Sequence, residues 1–160
     1  MEIFFRNRSV KKLIPAVNLR YLSLRVMRDL LEQYPFKNPQ ISILFVDDDQ
    51  IRIMNKKFRK MNCPTDVLSF PMLDKSEPLP SEGEITPLGD IVISIETAAR
   101  HAEEMGHSIK KEIALLLVHG FLHLLNYDDE KPKDRRRMLD LQKYWMEKLE
   151  KRAFVKRDIL

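Results

Sequence analysis

The chain has 160 residues, 44% of them apolar and 32% charged, enough to bury a core in a single domain over residues 1–160. No apolar run of about 18 residues is free of charge, which excludes a helical membrane span. The opening MEIFFRNRSVKK lacks the basic-then-apolar order of a signal peptide. The single cysteine, Cys63, excludes an internal disulfide and thiolate zinc clusters, and fits a cytoplasmic location. Any metal must be held by His, Asp or Glu. A net charge of +4, from 28 Lys and Arg against 24 Asp and Glu, permits a polyanionic partner without demanding one.

Glu2 to Arg6 reads as a short strand, with Ile3 and Phe5 on one side. From about Asn18, Leu19, Leu22, Leu24, Val26, Met27, Leu30 and Leu31 fit an amphipathic helix. Tyr34-Pro35 closes it, because the residue before proline avoids the helical region. Gln40 to Val46 is a strand by its branched residues. Asp47-Asp48-Asp49 supplies the cap and first turn of a helix from Gln50 to about Phe58, where carboxylates favour the positive dipole end. Three adjacent side chains on one turn cannot converge on one ion, so capping outweighs metal binding there. Arg59 ends that helix in a basic cluster with Lys56, Lys57 and Lys60. Its fork of donors matches phosphate oxygens, although a solvated helix end explains it equally well.

Cys63 to Asp66 is a turn in which Thr65 and Asp66 serve turn hydrogen bonding. Val67 to Phe70 is a strand ended by Pro71. Asp74 to Pro87, with its prolines and acidic residues, is a surface loop carrying no chemistry. Leu88 to Ile95 is a strand, and Glu96 to Met105 a helix ended by Gly106. His101 and His107 have no partner at i+4 and read as surface residues. Ser108 caps a central helix reaching Leu125. Pro132 opens a last helix to about Arg152, with Met138, Leu139, Leu141, Trp145, Met146 and Leu149 as its buried stripe. Arg135-Arg136-Arg137 reads as its solvated face, and the tail AFVKRDIL as a segment that frays or docks. The order implies an α+β fold, a mixed four-stranded sheet packed with helices. The central helix, apolar nearly all round, should be its most buried element.

Within that helix His119 and His123 sit four apart, so both imidazoles lie on one face. Burying two histidines among Leu, Val and Phe is costly unless their nitrogens find partners, and a metal ion uses both at once. Asn126 tolerates the left-handed turn that ends many helices. The chain can then return Asp129 to the histidines, giving His-x3-His-x5-Asp with an open fourth position, as in catalytic rather than structural zinc sites. Asp128 and Glu130 are rivals for the third ligand. The position after His119 is Gly120, where peptidases of the H-E-x-x-H type carry their general base, so that mechanism lacks its proton acceptor. A helical glycine costs about 1 kcal/mol relative to alanine and implies a packing or access reason.

HGFLHLLNYDD over residues 119–129 resembles the H-G-x-L-H-L-x-G-Y-D-H signature of the bacterial YbeY family. Phe58-Arg59, followed by PTDVLSFP at 64–71, resembles that family's Y-R-x-x-x-x-P-T-D-V-L-S-F-P, and LGDIVIS at 88–94 is similar to its G-D-I-V-I-S strand. The sequence departs at Asn126, where the family has glycine, and at Asp129, where it has its third histidine. The resemblance implies a metal-dependent, single-strand-specific endoribonuclease acting in 16S rRNA 3′ end maturation and ribosome quality control. It implies precursor 16S rRNA and ribosomal subunits as partners, with neither membrane nor DNA. It also implies zinc on His119, His123 and Asp129 (other divalent ions competing because of the carboxylate), and Arg59 in catalysis. The proton acceptor is left open between solvent activated by the metal and Asp128. The competing readings are a zinc metallopeptidase-like hydrolase and a non-catalytic ribosome-associated RNA-binding protein.

Overall fold

Branched and aromatic residues pair into one mixed sheet, and the amphipathic segments pack on its faces. A computed structural model describes residues 2–7, 18–73 and 83–152. In chain order the elements are β1 (Glu2–Asn7), α1 (Leu19–Leu31), β2 (Pro39–Val46), α2 (Asp48–Arg59), β3 (Val67–Pro71), β4 (Thr86–Ser94), α3 (Ile95–Glu104), α4 (Ile109–Leu124) and α5 (Pro132–Lys151). The strands lie in the order β1-β2-β4-β3. β2 runs parallel to β1 and β4, whereas β3 pairs antiparallel with β4 at an edge. The α+β class follows from the sequence pattern. The side chains of Ile3 and Phe5, most of the Asp74–Pro87 loop and the tail from Ala153 lie outside the described residues.

Alternation along β2 separates the two faces. Ile41, Ile43 and Phe45 enter the large core with α1, α4 and α5, while Val46, Leu68 and Val92 meet Ile51 of α2 on the other side. α4 packs against α1, α3, α5, β3 and β4, which explains why its apolar residues occupy every face. Ser108 caps it as expected, its hydroxyl accepting from the Lys111 N–H. In β4 the register shifts so that Gln40 faces Pro87 and Ile41 faces Gly89, leaving Leu88 as the extra residue of a bulge. Gly89 has φ +132°, and a Cβ there would lie 2.1 Å from the Phe70 carbonyl oxygen. Only glycine lets β3 approach.

Asp47 caps α2 by accepting from the Gln50 N–H at 2.9 Å. Asp48 does more than begin the helix. It accepts from the Ser94 and Thr97 hydroxyls and pairs with Arg100 at 2.8 Å, while Glu96 accepts from the Asp48 N–H at 2.8 Å. Burial pushes the Asp48 carboxyl up, but these bonds outweigh it and hold its pKa low. Glu96 of α3 thus caps the first turn of α2, while Asp48 ties the Ser94 cap of α3 in place.

Three features differ from the sequence reading, the first being that β4 begins at Thr86, a buried residue within the stretch read as a surface loop. α1 ends at Leu31, before Tyr34-Pro35 can act, and the next residues turn so that Tyr34 packs against the core. In α5 Leu139 is 54% exposed and leaves the stripe.

Candidate metal centre

α4 carries the site because its last turns bring His119 and His123 to the rim of the core. Asn126, at φ +59°, ends the helix in the left-handed conformation and sends the chain back. The return places Asp129 beside both imidazoles. The two Nε2 atoms are 3.1 Å apart, with Asp129 Oδ2 3.9 Å from the His119 Nε2 and Asp129 Oδ1 3.9 Å from the His123 Nε2. Asp128 turns elsewhere, accepting from the Glu130 N–H at 3.0 Å, and both Asp128 and Glu130 are exposed. Of the three acidic residues, Asp129 is the one brought to the histidines, and the three ligand atoms lie within 4.8 Å of one another.

Proton positions show what the trio fits. His123 Nδ1 is 3.0 Å from the Tyr127 carbonyl, which can only accept, so Nδ1 carries the proton. His119 Nδ1 is 2.9 Å from Gln142 Oε1 of α5 and donates likewise. Both Nε2 atoms therefore present lone pairs, and Asp129 adds a carboxylate. Three acceptors converge with no proton between them, an arrangement that calls for a cation. A tetrahedral ion with ligands at about 2.0–2.2 Å needs ligand separations of about 3.3–3.6 Å, and the histidine nitrogens at 3.1 Å and the carboxylate oxygens, each 3.9 Å from one imidazole, lie close to that. Burial lowers the His123 pKa, and His119 lowers it further, against the opposing pull of Asp129 and the Tyr127 carbonyl. The lowered value keeps the ring neutral, as ligation requires.

Arg59, exposed at the end of α2, adds a smaller lowering effect at His123, so its charge reaches the site. Lys60 follows in the left-handed conformation at φ 63° and ends the helix there. Thr65 and Asp66 do turn work: the Thr65 hydroxyl donates to Asp66 Oδ1, which also accepts from the Val67 N–H. Gly120 faces the sheet. A Cβ there would meet Ile91 Cγ2 at 2.8 Å and Ser69 Oγ at 3.2 Å, so its reason is packing.

Gln142 escaped the sequence reading. It lies four residues after Met138 and three before Trp145, so it occupies α5's inward stripe. A polar residue at an inward position was the available signal. His101 and His107 need correction. They are not isolated surface residues but flank buried Glu112 of α4, at 3.6 and 3.2 Å, with Asp66 4.0 Å from His101. Folding brings α3 and the start of α4 together there, which no spacing within one helix reveals.

The YbeY profile, described as Endoribonuclease YbeY, matches residues 4–150. This chain belongs to the YbeY family. An "Endoribonuclease YbeY" of Caldanaerobacter subterraneus is 40% identical over 93% of this chain and 98% of its own length. One from Aquifex aeolicus is 38% identical over 89% and 97%. A Thermotoga maritima protein solved in solution shares the fold with TM-score 0.58 at 24% identity, over 93% of this chain and 89% of that one. YbeY membership covers the whole stretch from β1 to α5, so the histidine helix, the return loop and Arg59 all lie inside it. Among the described residues no helix is long and apolar enough to cross a membrane.

Proposed function

We propose that the protein cleaves single-stranded RNA at a divalent metal held by His119, His123 and Asp129. By family it is an endoribonuclease, and the finer reading assigns it precursor 16S rRNA within ribosomal subunits, in the cytoplasm, with zinc as the ion. The carrying observation is the convergence of three proton-free acceptors within 4.8 Å of one another. The ion supplies Lewis acidity toward a phosphoryl oxygen. His119 and His123 hold their Nε2 lone pairs in place because Gln142 Oε1 and the Tyr127 carbonyl accept hydrogen bonds from the Nδ1–H groups. Arg59 offers a fork of donors to phosphate oxygens and offsets the charge that builds on them. In this reading the proton acceptor is either solvent activated by the metal or Asp128, whose carboxylate accepts from the Glu130 N–H.

The peptidase reading loses ground on geometry as well as chemistry. A glutamate at position 120 would run into Ile91 and Ser69. Cleavage of single-stranded RNA with and without chelator tests the proposal, and a non-catalytic binder would keep its affinity in both. Arg59→Ala is expected to retain metal and fold while losing about 10²–10³ in turnover, the cost of removing one preorganised transition-state donor. Turnover equal to wild type would remove Arg59 from the mechanism.

A further inference from the structure

A cleft of about 500 Å3 opens beside the return loop, between the segment after α1 and the start of α5. That volume is in the range of small-molecule sites, roughly 300–1,000 Å3. Its walls are flat. Tyr34 and Phe36 stack with ring centres 5.8 Å apart, and Tyr34 is anchored from behind by Phe121 and Trp145. The Arg137 guanidinium lies over the Tyr127 ring at 5.3 Å, giving the loop side a paired aromatic and cationic face. Asp128 and Asp134 add acceptors among these planes.

The cleft and the metal-facing trio share a backbone. The Tyr127 carbonyl holds His123, and Asp129 follows two residues later, a Cα path of at most about 7.6 Å. The cleft's own charged lining is Asp128, Asp134 and Arg137, and exposed Lys131, Lys133 and Arg136 are their neighbours in the chain. Aromatic faces, an arginine plane and carboxylate acceptors are what single-stranded RNA offers its unstacked bases to, through stacking and hydrogen bonds on their polar edges.

We infer that this cleft is a subsite for one unstacked base of the RNA strand, next to the phosphate presented to His119, His123 and Asp129. The inference rests on the ribonuclease reading for the identity of the strand. The base stacks against the Tyr34–Phe36 and Tyr127–Arg137 faces, Asp134 accepts from its amino or imino hydrogens, and the flanking phosphates lie toward Lys131, Lys133 and Arg136. The subsite thereby sets the register in which the strand crosses the metal centre.

Trp145 is the only tryptophan in the sequence and packs behind Tyr34, so its emission reports occupancy of the cleft. The test titrates chelator-treated full-length protein with a short single-stranded RNA and with copies made abasic at each position in turn. The intact strand is expected to change the emission, and one abasic position to weaken binding at least about tenfold, the low end of a stacked base's worth. Arg137→Gln and Asp134→Asn, both on the surface of α5, should weaken the intact strand similarly and leave the abasic one nearly unchanged. Equal binding of intact and abasic strands, or variants that weaken both alike, would overturn the subsite in favour of general charge attraction. Because binding is read without metal, a protein that binds this way yet never cuts RNA would sink the ribonuclease reading alone. A protein that cuts RNA with no abasic penalty would sink the subsite alone.

Discussion

Asp129 decides the character of the centre, since a carboxylate brings charge and a harder donor where a third imidazole would bring neither. Removing it should leave two histidines on one helix face, too few to hold an ion firmly. Asp129→Ala is expected to lower zinc affinity by more than about 100-fold, the upper end of what even indirect partners contribute. Asp129→His should tighten zinc and narrow the range of competing ions. Metal competition titrations read both, and unchanged affinity in the alanine variant would assign the third position elsewhere. Glu112 presents a different residue-scale question. Burial raises its pKa above 4.5, with His107 and His101 pulling it back and Asp66 pushing it up. A carboxyl raised in the folded state gives stability that is present below the unfolded pKa and lost as pH rises through the folded value. Glu112→Gln, which cannot ionise, should therefore gain on wild type in Tm between pH 4 and pH 8. A Tm difference that stays constant across that window would show that the carboxyl is not penalised by burial.

α4 and α5 act together as elements. The outer helix supplies Gln142, which fixes the tautomer and orientation of His119 on the inner one. Gln142→Leu should weaken metal binding by about 10–100-fold with little change in fold, whereas Gln142→Glu, which still accepts from Nδ1–H, should retain it. If leucine binds metal as well as glutamine does, the contact is incidental. The central helix, its serine cap and its asparagine stop were legible because capping and apolar density are local properties. Asp129 was legible as a candidate because a six-residue return is short. Gln142 comes from the next helix, and the His101–His107–Glu112 group joins two helices whose packing the sequence does not print. The expected end of α1 at Tyr34-Pro35 failed for a related reason. Tyr34 had a place to fill beside Phe121 and Trp145, and the chain turned early to fill it.

At the scale of the molecule, α4 touches most of the other elements, and the proposed ion joins its C-terminal end to the loop that leads into α5. Metal binding should therefore stabilise the whole fold, not only the loop. Arg152, just after α5, pairs with Asp29 of α1 and with Glu32 just beyond it, which ties the far end of α5 to α1. An ion that binds the folded chain alone adds about 2.7 kcal/mol when free metal is 100 times its dissociation constant. At about 2–4 °C per kcal/mol for a chain of this size, chelation should lower Tm by about 5–11 °C. The shift should grow with zinc concentration and vanish in Asp129→Ala, which has lost a ligand but keeps both histidines. Calorimetry with and without chelator measures it. A chelator-dependent drop of the same size in Asp129→Ala would mean that the stabilising ion sits elsewhere in the protein, and a wild type indifferent to chelator would mean that the trio holds no ion under those conditions.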